Sequence, residues 1–139
     1  LKNRAKEQSN TMTHSVLAWM RREINFTRSP GTPRVLETLR RRRGDCNEYS
    51  ALYVTLMRAA GLPAEQVYGL VIHQQSFRYH AWARIWVNGK WVEVDPTRNT
   101  PELHAGYISF ATGSPSSQEK LKALIGSTHV EVSGWSKTR

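Results

Sequence analysis

The chain has 139 residues, 39% apolar and 22% charged, with nine glycines and six prolines, a balance that excludes wholesale disorder and suits one domain with a real core. A formal net charge of +9 raises nucleic acid as a partner, but no zinc finger, RNA-binding aromatic motif or helix-turn-helix accompanies it, which favours a solvated basic face. No apolar run reaches the length of a membrane span, the polar first residues do not read as a signal peptide, and one cysteine permits neither an internal disulfide nor a paired-cysteine zinc or redox motif.

Residues 1–10 are polar and read as a frayed or partly helical lead, and the absence of an initiating Met raises the expectation of a domain cut from a longer protein. Val16, Leu17, Met20 and Ile24 recur at helical spacing, so an amphipathic helix is predicted over 12–25 with Arg21 and Arg22 outside. The stretch 26–33 carries two prolines and a glycine and is a turn-rich connector. A short helix follows over 34–39, with Val35, Leu36 and Leu39 inward.

The best-specified element comes next. Gly44 breaks the preceding structure, Asp45 is a good N-cap, and Glu48 stands three residues later, where a capping-box partner reaches back. Cys46 then occupies the first helical position. Tyr49, Leu52, Tyr53, Leu56 and Ala60 trace one stripe, and Gly61-Leu62-Pro63 stops the helix. A stripe this long predicts a helix buried against a sheet.

Residues 65–72 are apolar and β-branched and read as a strand, and 73–76 as a polar loop. Residues 79–87 alternate, Asn88-Gly89 is a strong hairpin signal, and 90–95 return before Pro96. A two-residue turn sets the register: Val87 opposite Lys90, Trp86 opposite Trp91, Ile85 opposite Val92, Arg84 opposite Glu93, Ala83 opposite Val94 and Trp82 opposite Asp95. His80 and Asp95 then share one face as diagonal neighbours. Residues 111–117 read as a flexible linker, 118–125 as a short helix, 128–132 as a final strand and 135–139 as a frayed end.

A thiol at a helix start is biased toward the thiolate, although a lone cysteine also fits a small buried hydrophobe. The shared face of His80 and Asp95 favours the chemical reading: imidazole takes the thiol proton, and the carboxylate fixes its tautomer.

At these residues the chain also resembles a known family. Arg43-Gly44-Asp45-Cys46-Asn47-Glu48, Met57 to Ala64, His80-Ala81-Trp82-Ala83 and Asn88 to Thr97 look like the transglutaminase-like core, a likeness extending over about 12–110. The resemblance implies an α+β, papain-like fold with the cysteine helix packed on an antiparallel sheet. It also implies Cys46 as nucleophile, His80 as general base and acid, and Asp95 as orienting group. The implied chemistry is acyl transfer or amide hydrolysis through a thioester on a protein or peptide substrate, giving cross-linking, deamidation or proteolysis.

Trp82 and Tyr79 are candidate substrate-binding residues, with Trp86, Trp91 and Tyr68 as further candidates for an acyl or amine groove, though all five suit packing. One oxyanion donor is expected at the Cys46 backbone N–H. Neither the calcium sites of the animal enzymes nor the zinc site of related peptide glycanases has a counterpart, so no cofactor and no metal are expected, and His73 and His104 read as surface histidines. A single domain over 1–139 is expected, with the 118–139 segment as a C-terminal extension. The compartment stays open, with a periplasmic location as the family-based expectation. The alternative is a non-enzymatic protein-binding module on the same fold, with the basic Arg40 to Arg43 stretch docking an acidic partner.

Overall fold

The periodic apolar residues of the N-terminal segment build a helix longer than expected. The computed structural model describes residues 2–28, 32–98, 103–125 and 127, and in it α1 spans Lys2–Glu23, ten residues ahead of the predicted start. Leu17, Met20 and Ile24 are buried, Val16 is half-buried, and Arg21 and Arg22 are exposed.

The chain then forms a short strand the sequence did not signal. β1 (Asn25–Phe26) pairs in parallel with β2 (Arg43–Gly44), bringing Phe26 opposite Gly44. Thr27 N–H donates to the Gly44 carbonyl at 2.9 Å. Between them lies α2 (Val35–Arg41), which ends at Arg42 in the left-handed region, φ 55°. Leu36, expected inward, is 75% exposed, and Thr38 is buried in its place. Helical geometry explains the exchange: Val35, Thr38 and Leu39 sit at i, i+3 and i+4, whereas Leu36 is turned about 100° from Val35.

α3 (Cys46–Ala59) is the central element. Its buried residues include Tyr49, Leu52 and Tyr53 of the predicted stripe and also Val54 and Met57, while Leu56 is half-buried and Ala60 exposed. α1 and α2 cover one side and the sheet covers the other, so one core joins Leu17 and Met20 to Leu52, Met57, Ala83, Ile85 and Val94. This is the predicted helix packed on an antiparallel sheet.

That sheet has four strands in the order β5-β4-β3-β6, formed by β3 (Ala64–His73), β4 (Ser76–Val87), β5 (Lys90–Val94) and β6 (Tyr107–Gly113). All neighbours are antiparallel. Asn88 and Gly89 adopt φ of 52° and 81°, the paired left-handed geometry of a tight hairpin turn. The β4–β5 ladder has the predicted register from Val87/Lys90 to Ala83/Val94, and the expected Trp82/Asp95 pair falls just past its end.

Between β3 and β6 the register shifts: Tyr68 faces Ala111 but Gly69 faces Ser109, leaving Phe110 as the extra residue of a bulge. Gly69 has no room for a side chain, because a Cβ there would strike the Ile108 carbonyl and the Trp82 ring. The stretch 111–117 is not a flexible linker: 111–113 complete β6, and α4 (Pro115–Ile125) follows. Its Ser, Gly and Pro content marked a turn, but ladder bonds to β3 and burial of Gln118 and Leu121 order the segment. The strand expected at 128–132 and the end to 139 lie outside the described residues. Among the described residues no helix is long and apolar enough to cross a membrane.

Candidate active site

The start of α3 is held by the predicted capping box. Asp45 Oδ1 accepts the Asn47 N–H at 2.8 Å, and Glu48 Oε2 accepts the Asp45 N–H at 2.9 Å. Burial first, then the neighbouring Asp45 carboxylate, pushes the Glu48 carboxyl up to about 7. Gly44 must be glycine, because a Cβ would overlap the Glu48 side chain. These constraints fix Cys46, a half-buried free thiol, at the first helical position. It opens on a cavity of about 710 Å³ that is also lined by Phe26, Arg28, Tyr79, His80 and Arg98.

His80 comes from β4. β5 pairs with β4 only along Ala83–Val87, so His80 lies on a stretch of β4 that β5 does not cover. Its Nε2 is 2.8 Å from Asp95 Oδ2, and the ring lines the same cavity as the Cys46 thiol. Burial disfavours the imidazolium, but the hydrogen bond to Asp95, the Asp95 charge and the neighbouring Cys46 outweigh it and raise His80 to about 9. Desolvation opposes ionisation of the fully buried Asp95 as well, yet bonds from His80, Tyr107 and Thr97 hold it down at about 2. The structure therefore brings Cys46, His80 and Asp95 together. An ionised Asp95 only accepts, so Nε2 carries the proton toward it and Nδ1 is left for the thiol.

Several supporting residues were not anticipated. Tyr107, from β6, donates its hydroxyl to Asp95 Oδ2 at 2.5 Å, and burial together with that carboxylate keeps the phenol protonated. Thr97 donates through N–H at 3.0 Å and through Oγ1 at 2.7 Å to Asp95 Oδ1. The Thr97 contact is an Asx turn, and Asp95-Pro96-Thr97 carries a local signal for it. Tyr107 has no such signal, since its position depends on the β3–β6 register. On the other side, Asn47 Oδ1 accepts from Tyr79 Oη at 2.7 Å and from Gln118 Nε2 at 3.0 Å, tying α3 to β4 and α4 beside the thiol.

Of the two expected substrate-binding residues, Tyr79 lines the cavity. Trp82 does not: it is fully buried, its indole N–H donates to Glu93 Oε2 at 3.2 Å, and its ring stacks near His80 with centroids 6.1 Å apart. A ring without exposed surface offers none to a substrate, and its contribution is to brace the imidazole. Trp86 and Trp91 pack on each other at 5.3 Å across the hairpin, and Tyr68 is buried. Among the described residues no three His, Cys, Asp or Glu side chains converge as a metal site; His104 Nδ1 accepts the Gly106 N–H at 3.0 Å, and the exposed His73 lines the Cys46 cavity.

Comparison with known proteins gives the family and the fold. A family model described as the transglutaminase-like superfamily matches residues 2–96. The chain belongs to the transglutaminase-like superfamily. An uncharacterised protein of Mycobacterium leprae (strain TN) is 31% identical over 107 residues, which cover 68% of this chain and 37% of that protein. Among solved structures, a candidate cysteine protease from Cytophaga hutchinsonii superposes with a TM-score of 0.64 at 19% identity, covering 81% of this chain and 42% of that one. A TGase gives 0.54 at 18% identity, over 73% and 32%. The chain thus spans less than half of each of these proteins, and at such identities the two structures speak to the fold alone.

Proposed function

We propose that this transglutaminase-like domain is a cysteine-dependent enzyme that attacks a carboxamide or peptide carbonyl of a protein or peptide substrate. The observation carrying the proposal is that His80 shares a cavity with the Cys46 thiol and is hydrogen-bonded to a carboxylate, Asp95, that is buried, ionised and held by Tyr107 and Thr97. A module kept only for binding has no need of this trio.

In the proposed reaction the Cys46 sulfur attacks the carbonyl carbon and His80 holds the thiol proton as imidazolium, paired with Asp95. The negative charge forms on the carbonyl oxygen. Within the first turn of α3, Asp45 caps the Asn47 and Glu48 N–H groups, which leaves the Cys46 N–H to face that oxygen. The tetrahedral adduct collapses as the C–N bond breaks and His80 protonates the departing ammonia or amine. The resulting thioester is resolved by water or a primary amine, whose proton His80 takes as the thiol is released. Water gives hydrolysis or deamidation, and an amine gives a new amide bond.

The deciding experiment incubates the protein with a peptide library and a labelled primary amine. Label on glutamine indicates transfer, new termini indicate proteolysis, and glutamate in place of glutamine indicates deamidation. Loss of all three on Cys46→Ala is expected, and product formation that survives this substitution would overturn the proposal.

A further inference from the structure

Beside the Cys46 cavity lies a second one of about 430 Å³, lined by Arg28, Arg34, Arg41 and Arg43 with Glu37 and Glu48. The two cavities are neighbours. Arg28 lines both, and Arg43-Gly44 on one rim leads directly through Asp45 to Cys46. The charges are not balanced. Arg41 is engaged by Glu37 at 2.6 Å, and the buried Glu48 is engaged in the capping box. Arg42, outside the cavity, is engaged by Glu23 at 3.0 Å. Among the described residues no ion pair is made by Arg28, Arg34 or Arg43, all of which are exposed. The surplus positive charge is therefore supplied by residues from both sides of α2, and not by the four-arginine run as a block.

We infer that this arginine-lined cavity is a docking subsite for an acidic stretch of the polypeptide substrate, adjacent in sequence to the carbonyl that Cys46 attacks. The inference rests on the reading of Cys46 as nucleophile. Three guanidinium groups around a recess suit carboxylates, which arginine binds through paired parallel hydrogen bonds, and Thr27 and Thr32 add hydroxyls to the lining. Continuity with the Cys46 cavity favours an extended peptide that occupies both. Nucleic acid suits the cavity less well, since no aromatic side chain lines it to stack a base and two carboxylates do.

The test uses the whole chain carrying Cys46→Ala, so that bound peptide is not consumed, and measures fluorescence anisotropy with labelled peptides. One peptide has a central Gln flanked by Asp and Glu, and its control has Asn and Gln in their place. The acidic peptide is expected to bind at least roughly tenfold tighter, and the preference to shrink as NaCl rises from about 50 to about 300 mM. Arg34→Gln with Arg43→Gln is expected to remove most of the preference, whereas Lys90→Gln at the β4–β5 turn leaves it unchanged. Equal binding of both peptides, a salt-independent difference, or an oligo-dT strand displacing the acidic peptide at lower concentration would each overturn the inference. Alkylation of Cys46 in the unsubstituted chain tests the nucleophile separately. A reactive Cys46 with no acidic preference sinks only the docking subsite, whereas acidic preference beside an ordinary thiol sinks the catalytic reading and with it the assignment of the bound peptide as substrate.

Discussion

Replacing Asp95 by Asn retains the shape of the side chain and removes its charge. In the folded protein the imidazolium of His80 is favoured despite its burial, with the pKa raised from 6.5 to about 9. At about 1.4 kcal/mol per unit this is about 3 kcal/mol, shared between Asp95 and Cys46. The substituted side chain lacks the charge and can turn an amide N–H toward a ring that needs an acceptor, while burial continues to oppose the cation. His80 is then expected to titrate near or below its ordinary value, so that it is largely neutral at neutral pH and free to rotate. Loss of the Asp95 share, with burial left to oppose the cation in the reacting state, is expected to lower kcat/KM by roughly 10²-fold. The assay is ring nitrogen NMR of His80 across pH in both proteins, beside amide turnover, with a thermal melt to establish that the variant folds. An Asp95→Asn protein whose His80 titrates as before, or whose turnover falls by less than about threefold, would refute the reasoning.

The same pair shapes stability against pH. The His80 contribution is fully present below about 6.5, its ordinary value, and is lost as pH rises through about 9; the Asp95 contribution is fully present above its ordinary value of 3.8 and is lost as pH falls toward about 2. Melting temperature is therefore expected to be highest between roughly pH 4 and 6.5 as far as this pair is concerned, and Asp95→Asn should flatten the alkaline fall. Gly44→Ala forces a methyl group into the Glu48 side chain and should cost about 1–3 kcal/mol by denaturant titration, with slower turnover because the capping box that holds Cys46 is displaced. Tyr107→Phe removes a bond to a charged acceptor, which predicts a loss of about 1.5–3 kcal/mol and a higher titration midpoint for Asp95 in NMR.

What could be read from sequence was what is fixed locally. The Asp45 cap with Glu48 and the Asn88-Gly89 turn specify their own geometry within a few residues, and the hairpin register then delivers His80 and Asp95 to one face. Features set by distant pairing were not readable. β1 and β2 are two residues each and exist because Asn25-Phe26 and Arg43-Gly44 are brought side by side by the helices around them. Tyr107 reaches Asp95 only because a bulge at Phe110 shifts the β6 register. Trp82, a candidate substrate contact that equally suited packing, is buried under Tyr107, with ring centroids 5.2 Å apart. The meeting of Cys46 with His80 belonged to the same class: the hairpin says nothing about how α3 docks on it, and only the assembled core of α1, α3 and the sheet does.

The central claim is that His80 activates Cys46, and the most direct measurement is the rate of iodoacetamide alkylation of Cys46 as a function of pH in the unsubstituted chain and in His80→Ala. Rapid modification of one thiol already at about pH 6, falling roughly 10²-fold or more on His80→Ala, is the predicted result. A Cys46 that reacts only as pH approaches that of a free thiol, about 8.5, and reacts alike with and without His80, would contradict it.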